Sequence, residues 1–243
     1  MHLAPPRQVG DGVVEQTFTL GDAPGILWTP EAAAAPVPLV LLGHPGGLQR
    51  MYPRLLERAR QSVAQGFAAA TLELPGSGER PPSAAADAAR AELRAVLAAG
   101  QPVGPDLVDR LVLPLVEAAV PEWRALLDAL PALPGVDGPV GYSGGFIAVG
   151  TRLALVEPRI AAAVLFAGSY VPRRTVEEAT QVDVPLLVLL QWDDENNDRQ
   201  AALDLFDAYG SAEKTLHANL GGHTGVPQFE GEDAGRFFAR HLR

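Results

Sequence analysis

The 243-residue sequence contains no cysteine. This excludes a disulfide framework, a thiolate nucleophile and any zinc site built on cysteine, and it fits a cytoplasmic protein. Long apolar runs are missing too. The longest, around Val37 to Leu42, Ala161 to Ala167 and Val184 to Leu190, fall far short of the ~20 residues a membrane-spanning helix needs, so no membrane association is expected. The opening residues, Met1-His2-Leu3-Ala4-Pro5-Pro6-Arg7, hold no apolar segment of signal-peptide length, and no export is expected. Basic runs are absent, and 19 Lys and Arg against 29 Asp and Glu leave a net charge of −10, which argues against nucleic acid or an anionic membrane as partner. Neither G-x-x-x-x-G-K-[ST] nor a G-x-G-x-x-G following a strand occurs, so no nucleotide cofactor is expected.

What is present is an apolar fraction of 47%, enough for a substantial core in one domain spanning 1–243. Strands are predicted at Val13 to Leu20 and Gly25 to Trp28, separated by the turn signal Gly21-Asp22-Ala23-Pro24. Strand-like and helix-like segments then alternate: strands at Leu39 to Leu42, Ala68 to Leu72, Val140 to Tyr142, Ile160 to Phe166, Leu186 to Gln191 and Lys214 to Ala218. Helices are predicted near Tyr52 to Gln65, Gly144 to Val156, Asp198 to Tyr209 and Glu232 to Leu242. Such a rhythm predicts an α/β fold, a mainly parallel central sheet with helices on both faces, whose reactive groups gather at the carboxyl ends of the strands. The Ala-rich segment at 32–35 lies between prolines and reads as a loop; the one at 84–91, preceded by the capping residue Ser83, reads as a helix. Between Leu74 and Val140 the chain is longer than one crossover requires. Residues 76–118 read either as a helical cap or as plain helical padding. Pro114 and Pro121 punctuate this stretch, and a separate helix from Pro121 to Leu130 is expected to return to the sheet.

Gly141-Tyr142-Ser143-Gly144-Gly145 spells G-x-S-x-G between a strand-like approach and a helix-like run, which makes Ser143 a candidate nucleophile on a sharp, strained turn. A serine hydroxyl needs a base in reach and a group to orient that base. His2 and His241 lie near the termini, His217 falls within a strand, and His44 follows an early strand. His223, in the glycine-rich loop Leu220-Gly221-Gly222-His223-Thr224-Gly225 after the last predicted strand, is the candidate base; a loop histidine bonded to backbone is the plainer alternative. The orienting acid should follow a strand between Ser143 and His223. Asp194 is the first choice and Asp193 the second, both at the end of the strand Leu186 to Gln191. The surrounding carboxylates Asp193, Asp194, Glu195 and Asp198 lack the spacing of a calcium loop, and no metal is expected; Asp198 reads as a helix N-cap. An oxyanion needs two converging N–H donors. Gly144, after the serine, offers one. The loop Gly43-His44-Pro45-Gly46-Gly47-Leu48 offers the other, at Gly46 or Gly47, because Pro45 has no N–H. Pro75-Gly76-Ser77-Gly78-Glu79 reads as the mobile start of the cap.

Taken in order, the strand and H-x-G-G loop, the Leu74-Pro75-Gly76-Ser77-Gly78 segment, G-x-S-x-G, then Asp and then His resemble the α/β-hydrolase superfamily over nearly the whole chain. More narrowly the sequence is similar to dienelactone-hydrolase-like and prolyl-oligopeptidase-like small serine hydrolases. That resemblance implies the α/β-hydrolase fold with a helical cap insertion, a cofactor-free enzyme cleaving a small-molecule ester, Ser143 as nucleophile, His223 as base, Asp194 as acid, and Gly46 and Gly144 as oxyanion donors. Two departures stand out: dienelactone hydrolases proper carry cysteine as nucleophile, and the usual His-Gly pair is here His44-Pro45. Acyl transfer or thioester cleavage by the same residues, and a non-catalytic binding protein of the same fold, are the alternatives.

Overall fold

A computed structural model describes residues 1–33, 35–129, 135–195 and 197–243. Two short strands, β1 (His2–Leu3) and β2 (Arg7–Gln8), precede β3 (Val13–Leu20), β4 (Ala23–Pro30), β5 (Val37–Gly43), α1 (Leu48–Ala64), β6 (Ala68–Leu72), α2 (Ala84–Ala98) and α3 (Pro105–Asp128). There follow β7 (Val136–Gly144), α4 (Ile147–Val156), β8 (Ile160–Phe166), α5 (Arg173–Ala179), β9 (Leu186–Gln191), α6 (Arg199–Ala208), β10 (Lys214–Asn219) and α7 (Phe229–His241). One sheet holds all the strands in the order β1-β3-β4-β6-β5-β7-β8-β9-β10, with β2 on the side of β3. The entry strands β1 to β4 pair antiparallel, β4 also pairs antiparallel with β6, and every pair from β6 to β10 is parallel.

Side chains alternate along β5 and build two cores. Val40 and Leu42 join Leu55, Phe67 and Phe238 beneath α1 and α7. Leu39 and Leu41 face the opposite layer, which α3, α4, α5 and α6 cover, and there the Trp123 ring meets Tyr142 edge-on, with centroids 6.1 Å apart. The crossover order places β5 beside β7, with Leu42 opposite Ser143 and Gly43 opposite Gly144. The two loops that carry the candidate oxyanion donors therefore leave the sheet side by side.

Some elements differ from the sequence reading. α3 runs unbroken through Pro114 and Pro121, so the helix expected to begin at Pro121 is the last third of a longer one; Leu130 lies outside the described residues, as does Ala34 in the predicted loop. Both prolines are exposed and seven residues apart on one face. The carbonyls they leave unbonded, on Arg110 and Glu117, belong to exposed residues that water can satisfy. The 7-residue α5 is too short to show periodicity and was not anticipated. No described helix is long and apolar enough to cross a membrane.

Candidate functional site

β7 ends at Gly144 and α4 begins at Ile147, so the chain reverses from strand to helix within three residues. Gly144 has φ +75° and Gly145 φ +71°, whereas the one non-glycine residue with positive φ among those described is Asp11. The strain expected at Ser143 is thus taken by the two glycines that follow it. They are needed for space as well: a Cβ on Gly145 would sit 2.9 Å from the Gly43 Cα, and one on Gly144 would sit 2.8 Å from an Arg58 nitrogen. Gly141, the first glycine of the motif, admits the Phe238 ring from α7, which would lie 2.5 Å from a Cβ there.

The loop carrying His223 is fastened to the end of β9 by several bonds. The Gln191 side-chain amide donates to the Gly222 carbonyl at 3.0 Å. The Asp193 carboxylate accepts from the Gly221 and Gly222 amides at 2.9 and 3.0 Å, and these bonds hold its pKa below the ordinary aspartate value. Asp194 does something different: its side chain is 1% exposed, and its Oδ2 lies 2.7 Å from His223 Nδ1. An ionised carboxylate only accepts, so Nδ1 carries the hydrogen and Nε2 is the lone-pair nitrogen of the neutral ring. The imidazole is 43% exposed and packs edge-on against Phe166 at 5.8 Å. Of the two aspartates offered by the sequence, Asp194 meets the imidazole while Asp193 shapes its loop.

His44 is excluded as a second base by its surroundings. It is fully buried, its Nε2 donates to the Leu72 carbonyl at 2.8 Å, and burial pushes its pKa down. Beyond it, Gly47 caps α1, and the Leu48 amide donates to the buried Glu73 carboxylate at 2.9 and 3.1 Å. The segment Pro75 to Glu79, read as the start of the cap, forms a turn in which the Ser77 amide bonds Leu74 O and the Arg80 amide bonds Ser77 O. It packs on the neighbouring loop, where a Cβ on Gly47 would lie 3.3 Å from the Gly78 nitrogen.

One residue of the site escaped the sequence reading. Arg58, ten residues into α1, donates from Nη1 to the Gly43 carbonyl at 2.7 Å and from Nη2 to the Ser143 carbonyl at 2.7 Å and to Ser143 Oγ at 3.1 Å. Partial burial of the guanidinium and nearby Arg54 pull its pKa down to about 10, so it remains a cation at neutral pH. The available signal was Gly144, since only a residue without a side chain there leaves room for the guanidinium.

Ser143 and His223 line one cavity of about 890 Å³, together with Gly43, Gly144, Arg58 and, from α2 and α3, Leu93, Leu97 and Leu111. Phe146 and Tyr170 also face it. Tyr142 is buried in the core, and Trp192 stands exposed with the Arg199 guanidinium over its ring. In the acidic cluster, Asp198 caps α6 by accepting from the Ala201 amide. Elsewhere His217, Glu230 and Asp233 bring ligand-type atoms within 4.8 Å of one another; Glu230 is already bonded to His217 and Asn219, and Asp233 to Arg236.

No family model and no curated protein matches the sequence. Solved structures do. An esterase from an Arctic intertidal metagenomic library, described as cold-adapted and bound to polyethylene glycol, superposes with a TM-score of 0.77 at 27% identity, each chain covered in full. An acetyl xylan esterase from a Paenibacillus species follows at 0.65 and 17% identity, covering 99% of this chain and 88% of its own. Another, from a Thermoanaerobacterium species, gives 0.65 at 15%, covering 98% and 87%. The chain has the α/β-hydrolase fold.

Proposed function

We propose that this protein is a serine esterase that hydrolyses small carboxylic esters through an acyl-enzyme. The observation that carries the proposal is the Asp194–His223 pair at 2.7 Å, on the wall of the cavity that Ser143 also lines. Its likeness to an esterase at 27% identity over the full length agrees with this reading. Ser143 Oγ attacks the ester carbonyl as its proton passes to His223 Nε2, and buried Asp194 stabilises the imidazolium. The amides of Gly144 and Gly46 receive the negative charge of the tetrahedral oxygen. Collapse expels the alcohol, which takes the proton from His223. A water molecule, deprotonated by the same nitrogen, then frees the acid and restores the serine. No bound group is required for any of these steps, and residues 76–118, with α2 and the first half of α3, act as the cap over the cavity mouth.

The test is a series of 4-nitrophenyl esters of increasing acyl length, assayed with the parent protein and Ser143→Ala. The parent should cleave the short members, and Ser143→Ala should lose about 1000-fold or more in kcat with folding intact. Parental rates in that variant would remove Ser143 from the reaction.

A further inference from the structure

From the hydrogen bonds of Arg58 we infer that it is the positioning residue of this site, setting the gap between the two oxyanion donors and orienting the serine hydroxyl; the inference rests on the esterase reading above. Arg58 reaches from α1 to two strand ends at once: Nη1 bonds the last carbonyl of β5, at Gly43, and Nη2 the Ser143 carbonyl in β7, both at 2.7 Å. The loop bearing Gly46 begins immediately after the first of these carbonyls, and Gly144 follows the second. One rigid, planar fork therefore ties together the backbone on either side of the site where an oxyanion would form, whereas lysine offers its donors from one nitrogen on a flexible stem and lacks that fixed fork.

The third bond concerns the nucleophile itself. Guanidinium nitrogens donate and do not accept, so in the 3.1 Å contact Ser143 Oγ must be the acceptor, and its own hydrogen is left for another acceptor. The neutral His223 nitrogen is the group the mechanism needs there. A cation beside Oγ also favours the oxygen as negative charge grows on it. Around Arg58 the molecule shows what this placement requires. Gly144 has no side chain to block the guanidinium, and among the described residues Arg58 makes no ion pair with a carboxylate that would draw it away.

The experiment compares Arg58→Met and Arg58→Lys with the parent and with Ser143→Ala, reading kcat and KM on a short 4-nitrophenyl ester, far-UV circular dichroism, and rescue by added guanidinium chloride against sodium chloride at equal ionic strength. Arg58→Met should lower kcat by about 10- to 100-fold while KM changes by less than about 3-fold, as expected for misplaced catalytic groups over an intact pocket. Low, non-denaturing guanidinium should restore part of the lost kcat where sodium does not, and Arg58→Lys should remain impaired. A folded Arg58→Met with parental kcat overturns the inference, as does a loss of kcat that guanidinium leaves untouched. If Arg58→Met fails to fold, Arg58→Lys decides by the same criteria: impaired kcat at parental KM supports the inference and parental kcat overturns it. Should Ser143→Ala keep its activity, the esterase reading falls instead, whatever the Arg58 variants do.

Discussion

Ser143, Asp194 and His223 stand far apart in sequence, and each was a candidate because of its place in the strand order: Ser143 near the end of β7, Asp194 after β9 and His223 after β10. The choice between Asp193 and Asp194 could not be read that way. It depends on which carboxylate turns outward to the Gly221 and Gly222 amides and which turns inward to the imidazole, and only the folded loop decides. Asp194→Asn should therefore cost about 1000-fold or more in kcat, because an amide at that place no longer stabilises the imidazolium and can hold the ring in the wrong tautomer. Asp193→Ala should cost far less and act through the loop. Measuring kcat for the two variants side by side checks the assignment, and equal losses would contradict it. Gly144→Ala adds a side chain at φ +75° and against Arg58, so it should lower stability by about 1–3 kcal/mol as well as activity, read by thermal unfolding.

At the scale of elements, strand positions were the most legible: β6, β8 and β9 fall at their predicted bounds because they are short, nearly continuous apolar runs of the parallel part of the sheet, and antiparallel β3 does so because the turn at Gly21 ends it. Helix bounds were less so. α3 continues through two prolines because its buried stripe, Val112, Val116, Ala119, Val120 and Trp123, is held against the core on both sides of each one, an effect of tertiary packing that local propensity does not contain. Arg58 was invisible for a similar reason, since nothing along α1 announces that its eleventh residue reaches two other elements. α2 buries only Ala89, yet Leu93 and Leu97 line the cavity, and Leu97 is 53% exposed. If this helix belongs to a cap, the double change Leu93→Ser with Leu97→Ser should raise KM for longer acyl esters by about 3- to 10-fold relative to acetate, with little change in melting temperature. An unchanged chain-length profile would leave α2 without a role in binding.

For the whole molecule, fold class and the absence of long apolar runs were fixed by composition and rhythm, while the distribution of ion pairs was not. One such pair centres on Glu157, after α4, which is 1% exposed and accepts from Arg159 Nε at 2.7 Å and Arg159 Nη2 at 2.8 Å, with Arg124 at 3.3 Å. These bonds from Arg159 lower its pKa from 4.5 to about 2. The folded state binds this proton less readily than the unfolded chain, so the stabilisation is complete above about pH 4.5 and is lost as pH falls toward 2. Melting temperature against pH should therefore decline through that window, and Glu157→Gln should both lower it at neutral pH and flatten the acid slope. A parental slope in the variant would assign acid sensitivity to other groups.

The most direct test of the proposed chemistry is covalent labelling with an alkyl fluorophosphonate, followed by peptide mass spectrometry and by an esterase assay on the same sample. The mechanism predicts modification on Ser143 in step with loss of activity, slowed in His223→Ala and absent in Ser143→Ala. Activity that survives with Ser143 unmodified, or that is lost through labelling at a different residue, would contradict it.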